Sequence, residues 1–215
     1  MRGDRDEFAA EGCRVIRGVI FDFGNVICSF DVEIFLAKLH EWSGLDVDTL
    51  RDRVYGSRLH SRYERGEISS KEFHREVVRR VGVDVPVEDL ADRFTDIFTP
   101  LESTQGLIRA LKGKYRLGLL SNTNEWHFLR HIRKVPVFPL FDAVTLSFEV
   151  GALKPEAEIY LDALRKLSLP PEECVFIDDI GKYAEGAAAV GIHGIQYTGH
   201  ADLLRELSGL GVVPP

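Results

Sequence analysis

Apolar residues in this chain occur in short unbroken runs, separated by segments in which they recur every three or four positions. Unbroken runs such as Val19-Ile20-Phe21 are typical of strands buried on both faces of a parallel sheet, and the longer spacing is typical of amphipathic helices. Strands that alternate with helices form βαβ units, so the pattern predicts an α/β fold with a Rossmann-like, mainly parallel sheet. The other predicted strands are residues 115–121, 143–148, 174–177 and 192–197.

Residues 30–100 interrupt this alternation. They contain no clear strand-like run, and their apolar positions follow helical spacing. The pattern therefore predicts an all-helical insert between the first and second strands, placed over the carboxyl ends of the strands as a lid would be. Residues 14–29 and 101–215 would then form the α/β core, and residues 1–13 a solvated tail.

Composition and charge restrict the class of protein. The chain has 215 residues, of which 45% are hydrophobic, and this is enough for one core domain with an insert. Its net charge of −7 argues against a nucleic-acid partner, because there is no basic excess to neutralise phosphates. No apolar stretch approaches the roughly 20 residues of a membrane span, so we expect no membrane partner. We also expect the protein to be cytoplasmic, and to be a monomer or a homodimer. The number of cysteines is odd and they are widely spaced, which predicts free thiols; the cysteines are Cys13, Cys28 and Cys174.

Polar side chains stand where the predicted strands end. Asp22 closes the first run, and Ser121-Asn122 closes the second. Asp178-Asp179 closes the fourth. Ligands of open α/β sheets bind at the carboxyl ends of strands, and adjacent carboxylates repel each other unless a cation lies between them. Oxygen ligands of this kind suit Mg²⁺, although each residue taken alone can also form a turn or cap a helix.

A lysine and an anion-binding group complete this set. Lys154 follows the third strand and precedes a proline that suits the first turn of a helix. It can pair with a phosphate or a carboxylate, although a solvated surface position is the default for a single lysine. The hydroxyl and amide of Ser121-Asn122, with backbone N–H groups that enter a helix, suit an anion such as phosphate. Together the strand-end residues predict a nucleophile, an anion cradle, a cation and a metal site in one crevice.

The order of these motifs resembles the haloacid dehalogenase superfamily. The motifs are Phe-Asp-Phe-Gly-Asn-Val, Leu-Ser-Asn-Thr-Asn, Lys-Pro-Glu-Ala-Glu-Ile-Tyr and Phe-Ile-Asp-Asp, and the resemblance covers residues 15–197. The Gly-Asn after the first aspartate, and the Tyr-Glu-Arg-Gly-Glu-Ile-Ser segment at residues 63–69, are similar to the α-D-glucose-1-phosphate phosphatase type. That subgroup is related to the amino-terminal phosphatase domain of epoxide hydrolases.

This resemblance implies a Mg²⁺-dependent phosphatase of a small phosphorylated metabolite. Asp22 would attack phosphorus and form an aspartyl-phosphate. Lys154 would neutralise the phosphate and the nucleophile, while Ser121 and Asn122 would hold the phosphoryl oxygens. The helical insert would be a cap domain that excludes water and selects the substrate. The implied metal ligands are Asp22, the backbone carbonyl of Gly24, Asp179, and Asp178 directly or through water.

Two positions depart from the family pattern. Most phosphatases of the superfamily have an aspartate where this chain has Gly24, and general acid–base help of that kind is worth ~10²–10⁴-fold. A sugar 1-phosphate needs less help because its anomeric hydroxyl is more acidic than an ordinary alcohol, so we expect a sugar phosphate such as glucose 1-phosphate. Alternatively His60, Glu64 or a bound water supplies the proton. Tyr183, four residues after Asp179, stands where related sequences usually carry an asparagine. This departure affects the residues around the metal and not the metal ligands.

Two other functions fit part of the pattern. A 2-haloacid dehalogenase would use the same aspartate without a metal or an acid–base partner, since halide leaves unprotonated. The acidic pair and the Gly24-Asn25 turn argue against it. A non-catalytic binding protein that kept the fold is the other alternative. The joint presence of the nucleophile, the hydroxyl, the lysine and the metal ligands argues against that alternative.

Overall fold

The computed structural model describes residues 15–56 and 58–213, so the predicted tail and Cys13 lie outside the described residues. Its central sheet has five parallel strands in the order β5-β4-β1-β6-β7, and β2 and β3 form a separate antiparallel pair. This confirms the predicted α/β fold with a parallel sheet. The strands are β1 (Gly18–Phe21), β2 (Cys28–Phe30), β3 (Phe98–Pro100), β4 (Arg116–Ser121), β5 (Ala143–Leu146), β6 (Cys174–Asp178) and β7 (His193–Gln196).

Helices cover both faces of the sheet and form the insert. The insert contains α1 (Val32–Ser43), α2 (Val47–Arg51), a π-helical segment (Asp52–Gly56), α3 (Leu59–Glu64), α4 (Ser70–Val81) and α5 (Val87–Thr95). The core contains α6 (Glu102–Leu111), α7 (Glu125–Arg130), α8 (Ser147–Val150), α9 (Ala157–Leu167), α10 (Gly181–Ala189) and α11 (His200–Gly209), with short 3₁₀ turns at Ile132–Lys134, Phe138–Leu140 and Pro171–Glu173. No helix in the described ranges combines the length and apolar character that crossing a bilayer requires.

Strand β1 lies at the centre of the sheet, where side chains on both faces are buried. Val19 and Phe21 point to the layer formed with α6 and α11, and Ile20 points to the layer formed with α9 and α10. This alternation follows from the two-residue repeat of a strand. The unbroken apolar run is therefore explained by burial on both faces, as the sequence predicted.

The insert has an apolar core of its own, and one residue of the α/β core completes it. Phe35, Phe73 and Phe94 are fully buried in this cluster. Trp126 of α7 packs among them, with its ring centroid 5.7 Å from that of Phe73. Helix α4 begins after Ser69, which forms a reciprocal capping box with Glu72. The insert thus packs directly on the α/β core through an aromatic contact.

A short strand at the end of the insert was not predicted. β3 pairs antiparallel with β2, with Phe98 opposite Phe30 and Pro100 opposite Cys28. Three residues that end in a proline give no strand-like pattern in the sequence. The pairing ties together the two chain segments that connect the insert to the core.

The described cysteines are buried free thiols. Cys28 and Cys174 form no disulfide, and burial raises the pKa of Cys28 to about 11 and that of Cys174 to about 12. Both thiols therefore stay protonated and pack as small apolar groups.

Candidate active site

The strand-end residues meet because neighbouring parallel strands end at the same edge of the sheet. Phe21 of β1 lies opposite Ile177 of β6, so Asp22 and Asp178 follow side by side. The backbone N–H of Asp22 donates to the Ile177 carbonyl at 2.9 Å, which continues the ladder by one residue. Ser121 ends β4 on the other side of β1 and is 3% exposed. The parallel register therefore brings the predicted nucleophile, hydroxyl and metal ligands to one place.

Lys154 lies between two carboxylates in the interior of the site. Its Nζ is 2.8 Å from Asp22 Oδ1 and 2.5 Å from Asp178 Oδ2, and its side chain is 1% exposed. Lys154 is therefore buried, and the default expectation that a single lysine lies solvated at the surface is wrong here. The ammonium group also lies 5.1 Å from the ring centroid of Tyr183, which makes a cation–π contact. Tyr183, the second departure from the family pattern, therefore contacts the lysine.

Asn122 holds the backbone that carries Lys154. The backbone N–H of Lys154 donates to Asn122 Oδ1 at 2.8 Å, and Asn122 Nδ2 donates to the Lys154 carbonyl at 3.3 Å. The sequence predicts that Asn122 holds phosphoryl oxygens, but its side-chain amide pairs with this peptide backbone. Asn122 therefore couples the loop after β4 to the loop before α9.

Three carboxylates form a cluster that can hold a metal ion. One oxygen each of Asp22, Asp178 and Asp179 lies within 4.8 Å of the others. Asn25, in a left-handed conformation with φ 54°, donates from Nδ2 to Asp179 Oδ2 at 3.0 Å, and the Ile180 N–H donates to Asp178 Oδ1 at 2.9 Å. The three carboxylates exceed the single positive charge of the lysine, and hard oxygen donors of this number fit Mg²⁺.

Burial and charge set the protonation of this cluster. Burial, helped by the charge of Asp178, raises the pKa of Asp22 to about 7 against the opposing effect of Lys154. Burial also raises the pKa of Asp178. Burial alone would lower the pKa of Lys154, but the two carboxylates outweigh it and raise that pKa. A bound divalent cation would favour the ionised form of Asp22, which is the form that can act as a nucleophile.

A cavity of about 220 Å³ lies between the insert and the core, and its lining includes Phe23 and Gly24, which directly follow Asp22, but not the three carboxylates or Lys154. Core residues after β1 and β4 form one side of it, and insert residues form the other. Most of the surface that lines it is apolar, although seven of the fourteen lining residues carry a polar group. The polar and glycine positions are Gly24, Tyr55, His60, Glu64, Ser121, Asn122, Thr123 and His127, and the apolar ones are Phe23, Phe30, Val32, Ile97, Phe98 and Ile132.

Gly24 could not accept a side chain without a rearrangement. A Cβ atom at this position would lie 2.9 Å from Cε1 of Phe30, which is closer than atoms can pack. The Phe30 ring therefore occupies the space that an aspartate would need. The role of the Gly24 carbonyl as a metal ligand stays a prediction.

The end of α3 is fixed to the core near Lys154. Arg65 donates to both carboxylate oxygens of Glu156 at 2.8 and 2.5 Å, and Ser147 Oγ donates to the Glu64 carbonyl at 2.6 Å.

Two residues that form side-chain contacts at the site, Asn25 and Glu156, were not assigned a role from the sequence. The Gly-Asn turn and the Lys-Pro-Glu motif marked both positions, but their partners are far apart in the sequence.

Comparisons with known proteins place the chain in a family. The sequence profile of haloacid dehalogenase-like hydrolases matches residues 16–191. The chain is 25% identical over 201 residues to D-ribitol-5-phosphate phosphatase of Bacteroides thetaiotaomicron, covering 90% of this chain and 98% of that protein. It is also 30% identical to acyl-CoA dehydrogenase family member 10 of Mus musculus over 93% of this chain, but it spans only 19% of that longer protein.

A solved structure agrees with this assignment. A haloacid dehalogenase-like hydrolase from Porphyromonas gingivalis superposes with a TM-score of 0.75 at 26% identity, covering 91% of this chain and 98% of that one. The resemblance predicted from the order of the motifs is confirmed. This chain is an enzyme that belongs to the haloacid dehalogenase-like hydrolase family.

Proposed function

We propose that this enzyme is a Mg²⁺-dependent phosphatase that hydrolyses a small phosphorylated sugar or polyol through an aspartyl-phosphate on Asp22. The observation that carries the proposal is the buried Lys154, whose Nζ joins Asp22 and Asp178 beside the carboxylate of Asp179. A lysine and a carboxylate cluster at one strand edge suit the charge of a transferring phosphoryl group. The similarity to a ribitol-5-phosphate phosphatase supports the substrate class.

The first step transfers the phosphoryl group to the enzyme. An Asp22 carboxylate oxygen attacks phosphorus as the bond from phosphorus to the substrate oxygen breaks, and that oxygen keeps the electron pair and takes a proton from water. Lys154 stabilises the negative charge, while the Ser121 hydroxyl donates to a phosphoryl oxygen. Because the Asn122 amide pairs with Lys154, its contribution to phosphate binding would come from its backbone N–H. Mg²⁺, held by the three carboxylates and the Gly24 carbonyl, would offset the charge of the phosphoryl oxygens.

The cavity supports a small substrate. Its volume of about 220 Å³ lies below the usual range for drug-sized ligands, ~300–1,000 Å³. Its polar groups can fix the orientation of hydroxyls, and its aromatic walls can cover the apolar faces of a sugar ring.

Metal removal separates the phosphatase from the dehalogenase alternative. We expect dialysis against EDTA to remove phosphatase activity almost completely, and added Mg²⁺ to restore it, because the carboxylate cluster then lacks its countercharge. The measurement is phosphate release from a panel of sugar phosphates, with chloride release from 2-chloropropionate assayed in parallel. Chloride release that survives chelation, without phosphate release, would instead favour the dehalogenase.

A comparison of phosphate esters tests the substrate. We expect kcat/KM for glucose 1-phosphate to exceed that for glucose 6-phosphate by at least ~10-fold, because Gly24 supplies no acid and the anomeric hydroxyl leaves more readily. D-ribitol 5-phosphate is the third substrate in the comparison. A preference for glucose 6-phosphate would contradict the 1-phosphate assignment, while the phosphatase activity itself would stand.

A further inference from the structure

Hydrolysis of the aspartyl-phosphate needs a proton acceptor that Asp22 and Gly24 do not provide. In this second step water is the nucleophile for every substrate, so an acidic leaving group does not help it. The usual aspartate cannot be accommodated at position 24 without moving Phe30, whose ring lies 2.9 Å from the Cβ position. The base must therefore come from elsewhere in the cavity.

The cavity walls contain few groups that can exchange a proton. In the part of the chain that the structure describes they are Tyr55, His60, Glu64 and His127. His127 is already engaged, since its Nε2 lies 3.2 Å from the Phe94 carbonyl and its Nδ1 lies 3.1 Å from Asn124 Nδ2. Its ring also stacks on Phe94. Burial raises the pKa of Tyr55, so its phenol stays protonated and cannot act as the base.

His60 and Glu64 remain, and they form a pair. They lie one turn apart on α3, with His60 Nδ1 3.5 Å from Glu64 Oε2, and each side chain is 20% exposed. His60 Nδ1 faces the Glu64 carboxylate, so Nε2 is the ring nitrogen that remains to accept a proton. Both the ring and the carboxylate border the same cavity as Gly24 and Ser121.

A second polar group beside this pair points to a ligand. The ring centroid of Tyr55 lies 4.9 Å from that of His60. The Tyr55 hydroxyl is buried, and it has no hydrogen-bond partner among the described residues. A buried hydroxyl without a partner is costly, and a bound water or a substrate hydroxyl would satisfy it.

The pair is held in a fixed relation to the phosphate side of the site. Ser147 Oγ donates to the Glu64 carbonyl at 2.6 Å, and the same oxygen accepts the Thr123 N–H at 2.8 Å. Thr123 follows Ser121 and Asn122 in the loop after β4. The salt bridge between Arg65 and Glu156 fixes the next residue of the insert. The pair therefore cannot shift away from the core without breaking these contacts.

We infer that His60, oriented by Glu64, is the general base that activates water for hydrolysis of the aspartyl-phosphate, an inference that rests on the proposed function. The water oxygen forms a bond to phosphorus as the bond between phosphorus and the Asp22 oxygen breaks. The electron pair of that bond returns to the carboxylate of Asp22, and the proton of the water passes to His60 Nε2. Inorganic phosphate and free Asp22 are the products. Glu64 is the positioning residue that stabilises the charged imidazolium.

Burst kinetics of His60→Gln test this role. With p-nitrophenyl phosphate, whose leaving group needs no protonation, the variant should release about one equivalent of nitrophenolate rapidly. Its steady-state rate should then fall by ~10²-fold, because the phosphorylated enzyme accumulates. Intact-protein mass spectrometry of quenched samples should show the added phosphoryl group. Glu64→Gln should show the same burst with a smaller loss of rate.

Two controls separate this role from a structural one. His40→Gln changes a histidine of α1 that does not border the cavity, and it should keep the wild-type rate and show no accumulation. In His60→Ala, added imidazole should speed the second phase, which a packing role would not allow.

The outcomes distinguish the inference from the function on which it rests. An unchanged steady-state rate in His60→Gln, or a slow first turnover without a burst, would overturn the role of His60 while phosphatase activity stands. If the wild-type enzyme hydrolyses no phosphate ester and forms no phosphorylated species, the proposed function is wrong and the role of His60 falls with it.

Discussion

Asp22→Asn is expected to reduce turnover by ~10⁴-fold or more, because removal of a covalent nucleophile abolishes the first step. The amide keeps the size of the side chain, so the protein should still fold. It also removes one of the two carboxylates that contact Lys154. The measurement is the steady-state rate of phosphate release with Mg²⁺, together with mass spectrometry for the phosphorylated enzyme.

The matched control for this variant is Asp202→Asn. Asp202 lies on α11 with its side chain 46% exposed, and its replacement should leave the rate unchanged. An Asp22→Asn enzyme that turns over at the wild-type rate would end the aspartyl-phosphate mechanism. Urea unfolding of both variants shows whether any loss of rate reflects a loss of structure.

Lys154→Met is expected to lower the free energy of unfolding by about 3 kcal/mol and to remove most of the activity. The change leaves Asp22 and Asp178 buried without their shared cation, and breaking a buried ion pair by removing one partner typically costs ~3–5 kcal/mol. Protonation of Asp22 reduces this cost, since burial already raises its pKa to about 7. Urea denaturation in EDTA measures the change without a contribution from bound metal.

Lys114→Met is the control for this second variant. Lys114 is exposed in the turn before β4, so its replacement should change the free energy of unfolding by less than ~0.5 kcal/mol. Equal stability of the two variants would contradict the buried ion-pair assignment of Lys154. Activity that survives in Lys154→Met would contradict its role in neutralising the phosphate.

The unbroken apolar runs predicted the strands of the parallel sheet because its central strands, such as β1, are buried on both faces. It also predicted that Asp22, Ser121 and Asp178 converge, since parallel strands end at one edge. The short β3 was missed because three residues with a terminal proline carry no periodic signal. Short runs of this kind form only when a partner strand is placed beside them.

Side-chain partners in the site were harder to predict than positions. Asn122 looked suited to an anion, but its amide holds the backbone of Lys154 instead. The pairing of Arg65 with Glu156 joins residues that are far apart in the chain. Which polar groups pair depends on the path of the insert over the core, and local sequence does not encode that path.

The central place of β1 has a consequence for how the enzyme folds. Gly18 pairs with Arg116 on one side and with Cys174 on the other, so the strand that carries the nucleophile gains its neighbours only from distant parts of the chain. Contacts of such long sequence separation slow folding because large loops must close first. During synthesis β1 leaves the ribosome before β4 and β6, and one of its edges stays unpaired until β6 has emerged. This interval exposes the chain to aggregation before an active site exists.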